Sequence, residues 1–503
     1  MPSLPVIVGV GQVANKDDDR IVHPVELLED AVRLALDDAG ADLLPHIGAV
    51  FSSPLSVFSE EHGGAMVAER LGLSPGPRVQ ASYSGAGPQK LLADACRRIE
   101  AGELDAALIV GGIADASVRR ARQRGQTPPA PPTSIWSQGS GGADDDLTRV
   151  AGGWQRPFMA EAAAGSQLPA SIFALAESAL AGAAGHDPVA HRAWLGELLA
   201  PFTQVAATRP DLAWFPTPRL ATEIAEVRDD NRFIAEPYTK LMCSFPTIDL
   251  AAAVLVTSST LADRLGIDAD RRVHPWGITA ASEAGPPSVW QEMHRSAALT
   301  AAVERVLTTT GVTPDELVGF DLYSCFPAAV QLAVAAFGLD PTDRRPLTMT
   351  GGLPYFGGPG ASYSLHGLAC MVERLRAEPG SLGAVVGVGG VINDFSVGVY
   401  SAAEPHRSVR FDDGADITAA LEGTAVAVVR QADGPATVEA MTVLHERDAG
   451  PVAAPVIARL PDGSRVGARA ATPDLPAALS GTSLVGREVH LVTRGEHVHY
   501  SLG

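Results

Sequence analysis

The chain has 503 residues, 46% of them hydrophobic, and 38 Lys plus Arg against 58 Asp plus Glu, so its formal charge is 38 − 58 = −20. That length exceeds one hydrophobic core and that apolar content excludes a disordered polymer, which leaves roughly three domains as the expectation. The acidic balance repels phosphate backbones and anionic lipid, no apolar run reaches the ~20 residues of a bilayer span, and Met1 to Val13 lacks a basic region and a cleavage site; no nucleic-acid partner, no membrane insertion and a cytoplasmic location are expected.

In chain order, Val6 to Val10 reads as a strand, and Val25 to Ala39 as a helix with apolar residues at helical spacing. Ala49-Val50-Phe51 is a second short strand. The turn Ser82-Tyr83-Ser84-Gly85-Ala86-Gly87 then opens a helix around Leu91 to Ile99, and a strand Ala106 to Val110 ends in Gly111-Gly112. Between Gly125 and Gly153 the composition turns to Pro, Gly, Ser and Asp, which predicts an excursion outside the core. From there to Tyr238 short helical pieces with Pro-bearing turns are expected, and the strand pattern resumes at Asp249 to Val256 and again at Arg272 to Ala280.

The second half repeats the first. Ala302-Val303 to Thr310-Gly311 matches Ala31-Val32 to Ala39-Gly40, and each precedes a short apolar strand, Gly319 to Leu322 in the later copy. Gly357-Gly358-Pro359-Gly360-Ala361-Ser362 leads into a helix from Leu365 to Leu375 and a strand Ala384 to Val388 ending in Gly389-Gly390. Self-similarity of this kind reports a structural duplication, and a duplicated half-domain builds its site where the halves meet. Strands alternating with helices predict parallel sheets covered by helices. Beyond about Glu404 the texture changes to short β-branched runs, Thr424–Arg430, Thr437–His445, Val456–Leu460, Arg465–Ala470 and Val489–Thr493, which predict a small separate β-barrel or sandwich. Cys96, Cys243, Cys325 and Cys370 are dispersed in apolar surroundings and read as reduced core thiols. His490, His497 and His499 lack a complete ligand set, so they read as a solvated strand edge and no metal is expected.

The duplicated halves, the loop insertion in the first and the four glycine-containing turns resemble the thiolase superfamily over about residues 4 to 404, closest to the sterol-carrier-type thiolases and to thiolase-like proteins with an extra C-terminal domain. The resemblance implies an α/β thiolase fold, five layers αβαβα from two similar halves, plus a small C-terminal all-β domain of OB type. The divisions it implies are 1–124 with 241–271 for the first half, 125–240 for the insertion, 272–404 for the second half and 405–503 for the added domain. It also implies an acyltransferase ancestry, CoA or an acyl-CoA as ligand with no tightly bound cofactor, and a role in fatty-acid or sterol metabolism. Self-association or a protein partner engaged through the C-terminal domain is the remaining partner expectation.

Each catalytic turn of that family can be read here. The Cys-x-Ser-Gly motif aligns with Ser82-Tyr83-Ser84-Gly85, so a serine stands where the acylated cysteine belongs. The Asn-Glu-Ala-Phe or His-Asp-Cys-Phe motif aligns with Tyr323-Ser324-Cys325-Phe326, so Tyr323 replaces the oxyanion residue. Gly-His-Pro aligns with Gly357-Gly358-Pro359 and Cys-x-Gly-Gly with Gly387-Val388-Gly389-Gly390, so the histidine becomes Gly358 and the cysteine base Gly387. Removing one oxyanion donor costs ~10²–10³ in rate, and losing the nucleophile costs more, so standard thiolase chemistry is not expected.

Glycine turns and helix N-termini bind phosphate and carbonyl oxygens through backbone N–H groups, so thioester binding can outlive catalysis. The resemblance places pantetheine beside Met242 to Asp249, which names Ser244 and Phe245, with Gly357, Gly389 and Gly390, as binding residues; Leu250 replaces the glycine of the family's Asp-Gly-Ala-Ala-Ala strand. The catalytic candidates are Ser82, Tyr323, Tyr355 and His366. Ser82 is a helix cap or an acyl-accepting hydroxyl that needs a base, and His366 is the nearest such base by motif position. Tyr323 and Tyr355 fall in active-site turns with Tyr83 beside Ser82, which keeps open a tyrosine-using retro-aldol lyase on a CoA thioester. A non-catalytic scaffold recruiting a partner through the tail is the third reading.

Overall fold

The computed structural model describes residues 3–55, 62–73, 78–81, 83–129, 147–150 (backbone alone), 160–340, 343–407 and 409–502. Two sheets carry the duplication. The first has six strands in the order Pro5–Ala14, Asp249–Ser258, Ala106–Ala114, Ile47–Ser52, Arg78–Ala81, Leu147–Val150. The second runs Leu317–Asp321, Leu382–Gly389, Asp394–Ser401, His274–Ser282, Arg410–Asp412. The strand that closes each half, Asp249–Ser258 or Asp394–Ser401, lies antiparallel between the half's first strand and its Gly-ending strand, so the two sheets share one topology.

The layers follow from which faces are apolar. Helices Gly87–Glu100 and Tyr363–Ala377, which follow the two glycine turns, lie between the sheets: Leu91, Leu92 and Cys96 join Leu365, Leu368 and Met371 in one core with residues from both sheets. Helix Tyr363–Ala377 is covered on nearly every side, with Ser364, His366 and Cys370 all buried. The outer face of the first sheet is covered by helices Pro24–Ala39 and Gly63–Arg70 and that of the second by Ala297–Thr310 and Pro327–Ala336. Local signals set these helices. His23 and Glu26 form a capping box ahead of Pro24, and Gly40 closes the helix at φ 67°, a left-handed conformation that favours glycine. This is the five-layer αβαβα arrangement expected from the sequence.

Three segments differ from that expectation. Within the Pro/Gly/Ser/Asp-rich stretch, Leu147–Val150 is a strand that extends the first sheet, parallel to Arg78–Ala81; flanking glycines conceal a segment that pairs with an open sheet edge. The insertion is built on two long helices, Pro169–Ala184 and Pro188–Ala207. Both start with Pro at the first helical position, where no N–H is needed, Asp187 caps the second, and Pro201 inside it forgoes one backbone bond without ending the helix. In the tail, Thr424–Arg430 has only an isolated bridge, Val428 to Arg465, and the run Thr437–His445 splits into Gly434–Met441 and Leu444–Glu446. The split occurs because Leu444 leaves the barrel to pair with Ala235 of the insertion.

The tail forms a closed five-stranded barrel in the order Gly434–Met441, Val456–Arg459, Arg465–Ala470, His497–Ser501, Glu488–Arg494 around its own core. It is held to the rest of the chain by buried polar contacts. Arg465, fully buried, donates to the carbonyls of Ser288 (3.1 Å), Trp290 and Gln291 (3.1 Å) and pairs with Glu439 at 2.5 Å. Glu236 of the insertion accepts from His445 (2.7 Å), Ser480 (2.5 Å) and the Gly481 N–H (2.7 Å). Among the described residues no helix is long and apolar enough to cross a membrane.

Candidate functional site

A cavity of about 470 Å³ opens where the two halves and the insertion meet. The first half supplies Tyr83 and Gly85; the second supplies Tyr323, Cys325, Phe326, Gly358, Gly360, Val388, Gly389 and Gly390. The insertion supplies Phe173 and Ile234, with the exposed Leu168 and Lys240 at the rim, and the segment that returns from it into the first half supplies Cys243, Ser244 and Phe245. Among the described lining residues there is no carboxylate and no histidine. Another cavity of about 510 Å³, walled by Glu283, Trp290, Arg295, Glu304 and Leu421, carries none of the duplicated turns.

Buried polar bonds hold the floor rigid. The Ser84 hydroxyl donates to Asp394 Oδ2 at 2.5 Å while Lys90 (2.5 Å) and the Ser282 hydroxyl (2.8 Å) hold Oδ1, so one buried carboxylate ties the first half's glycine turn to the second half's hairpin. A side chain at Gly389 would overlap the Ser84 Oγ, so glycine is what lets that strand lie against the turn. Asp321, buried, accepts through Oδ2 from the Met349 (2.7 Å) and Thr350 (3.2 Å) N–H groups and the Thr348 hydroxyl (3.2 Å), and so fixes the approach to the third turn. Burial outweighs those donors and pushes its carboxyl up to about 6.

The residues singled out from the sequence divide sharply. Ser82 lies outside the described residues. Tyr323, Ser244, Phe245, Gly358, Gly389 and Gly390 line the cavity; Tyr355, Gly357, His366 and Gly387 are not among its lining residues. Tyr355 is buried with its hydroxyl unpaired among the described residues, and burial raises its pKa. His366 sits inside the central helix with Nδ1 2.9 Å from Gln12 Oε1 and Nε2 unpaired among the described residues, and burial lowers its pKa to about 3. Gly387 faces away: a Cβ there would meet the Ser396 Oγ at 2.6 Å and the Ala86 Cα at 2.8 Å. Successive strand residues point to opposite faces, and Val388 beside it lines the cavity. Strand alternation is a signal the sequence carries; the motif register obscured it.

The thiols do not replace the missing nucleophile. Cys243 and Cys325 both line the cavity, joined through the Ser244 N–H to Cys325 O bond at 2.9 Å. Burial pushes the Cys243 thiol up to about 12 and the Cys325 thiol higher still, so neither is a thiolate at neutral pH. Tyr83 is likewise raised to about 12, first by burial and then by the Asp115 charge, and Tyr323 is raised by burial with Cys325 and Tyr83 adding. Both tyrosines are neutral hydrogen-bond donors. Glycine at position 358, where the resemblance implies a histidine, has a steric reason, because a Cβ there would overlap the Ser244 Oγ.

Over its whole length the chain superposes on a monomeric SCP2-thiolase-like protein type 1 from Mycobacterium smegmatis, with TM-score 0.83, 29% identity and 100% of both chains covered. Residues 418–496 match the family model of the thiolase-like protein type 1 additional C-terminal domain. The chain belongs to the thiolase superfamily and carries an additional C-terminal domain. More distant members share the fold alone. An acetyl-CoA acetyltransferase from Syntrophomonas wolfei aligns at TM-score 0.58 and 14% identity over 80% of this chain and all of its own. An Ltp2–ChsH2(DUF35) aldolase aligns at TM-score 0.58 and 17% identity, covering 80% of this chain and 99% of that one. No curated protein sequence matches the chain significantly.

Proposed function

We propose that this thiolase-like protein binds the acyl-pantetheine arm of a coenzyme A thioester in the 470 Å³ cavity and does not carry out thiolysis. The observation that carries the reading is the lining itself: the superfamily's turns converge on a largely apolar cavity that holds neither carboxylate nor histidine among its described residues, beside thiols kept protonated by burial. Such a wall accepts an acyl chain by apolar burial and offers neutral donors to a carbonyl. It provides no described base to activate a nucleophile. A role in fatty-acid or sterol metabolism follows from the ligand class.

The tyrosine-using lyase is the weaker reading. Tyr323 faces the cavity, but a hydroxyl whose pKa is raised donates protons and does not remove them, and retro-aldol cleavage needs a base for the departing β-hydroxyl proton. A scaffold without ligand leaves the cavity unexplained. The test is calorimetry of the full chain with CoA and a series of acyl-CoAs, alongside an acetoacetyl-CoA thiolysis assay. Binding heat with no thiolysis is expected; absence of heat and of thermal protection for every ligand, or robust thiolysis, overturns the proposal.

A further inference from the structure

The cavity wall is apolar apart from a few groups, and three of these share one construction: each is a hydroxyl-bearing side chain packed over a glycine from a duplicated turn. The Ser244 Oγ occupies the space a Cβ at Gly358 would take. The Tyr83 hydroxyl lies 2.8 Å from where a Cβ at Gly360 would sit, and the Tyr323 ring lies 2.6 Å from the Cβ position of Gly85. None of the three hydroxyls makes a hydrogen bond to a described residue, although all three side chains line the cavity. The other polar side chains of the wall are of different kinds. The Cys243 thiol already donates to the Thr239 carbonyl (3.4 Å), the Cys325 thiol is a weak donor, and the Lys240 ammonium stands at the exposed rim.

A ligand that fills the cavity must dry these hydroxyls. A buried donor left without an acceptor weakens binding by roughly tenfold to a hundredfold. A thioester carbonyl has two lone pairs and satisfies at most two of the three. The third is met by a further polar group of the ligand, either a pantetheine amide or an oxygen on the acyl chain. Serine and tyrosine hydroxyls both donate and accept, and both tyrosines stay protonated at neutral pH. A hydroxyl substituent complements such a group in either direction, whereas a keto oxygen only accepts and an alkyl chain does neither.

We propose that Tyr83, Ser244 and Tyr323 form a hydroxyl seat that selects acyl thioesters hydroxylated near the carbonyl. The inference rests on the thioester-binding reading of the same cavity. It assigns recognition only, with no bond made or broken.

The experiment is calorimetric titration of the full chain with CoA, butyryl-CoA, 3-hydroxybutyryl-CoA and acetoacetyl-CoA, repeated for Tyr323→Phe and Ser244→Ala. Neither variant removes a hydrogen bond to a described residue, so unchanged unfolding midpoints are expected to show both folded. The 3-hydroxybutyryl ester is expected to bind roughly tenfold or more tighter than butyryl-CoA, with that ratio collapsing toward one in each variant. Equal affinity for the hydroxylated and saturated esters overturns the seat and leaves thioester binding intact. A preference for acetoacetyl-CoA over the hydroxy ester, or a ratio unmoved by both variants, also overturns it. Failure of every ligand to bind overturns the thioester reading itself, and the seat with it.

Discussion

Replacing His366 with Asn separates a structural histidine from a catalytic one, and its size follows from where the ring lies. The Gln12 Oε1 can only accept, so the hydrogen bond of 2.9 Å puts the imidazole proton on Nδ1. A second proton would go to Nε2, which is buried without a partner among the described residues, while the Phe356 ring stands 5.4 Å away in an edge arrangement. Burial therefore lowers the pKa from 6.5 to about 3. Because the folded value lies below the unfolded one, the unfolded chain binds the extra proton between pH 3 and 6.5. Stability falls as pH drops through that window, by on the order of 5 kcal/mol in total and about 2 kcal/mol by pH 5. His366→Asn keeps a donor for Gln12 but does not titrate. Urea unfolding at pH 7.5 and pH 5.0 should show the unmodified protein losing about 2 kcal/mol more than the variant, with acyl-CoA affinity unchanged in the variant. Identical pH dependence in both proteins refutes the buried-neutral assignment, and lost ligand affinity in a folded variant refutes its distance from the cavity.

Asp321 has the opposite sign. Burial raises its pKa from 3.8 to about 6, so its ionisation costs stability as pH climbs through that interval; Asp321→Asn should remove a loss on the order of 3 kcal/mol, read as a flatter dependence of unfolding free energy between pH 4 and 6. Restoring the family histidine by Gly358→His should destabilise by ~1–3 kcal/mol through overlap with the Ser244 Oγ, and adding Ser244→Gly should recover part of that; additive losses would show that the two side chains do not compete for one space. Arg465→Met strips the partner from three carbonyls and leaves Glu439 paired with Arg459 alone, so a loss of ~3–5 kcal/mol with early proteolytic release of the barrel is expected, and an unchanged unfolding midpoint would exclude Arg465 as the anchor.

Much of this protein is written in its order of residues. The repeat of a glycine turn, a helix and a Gly-ending strand carried the two-sheet fold, because each copy encodes the same local geometry through apolar period and turn chemistry. The emptiness of the catalytic turns was equally legible, since Ser82, Tyr323 and Gly358 stand in the motifs themselves. Other features depend on contacts between distant segments. The strand Leu147–Val150 exists because Arg78–Ala81 offers it an open edge, and the run Thr437–His445 breaks because Leu444 finds Ala235. Gly387 and His366 stand in or beside the right motifs yet face Ser396 and Gln12 instead of ligand, since strand alternation and helix rotation decide direction within a packed core. The hydroxyls of Ser244, Tyr83 and Tyr323 gather at one cavity from segments 83, 244 and 323 only when the halves close. Sequence alone determined the scaffold and what its turns had lost; tertiary packing decided what entered the vacated space, because a side chain's neighbours come from the whole chain and its own motif supplies only a few of them.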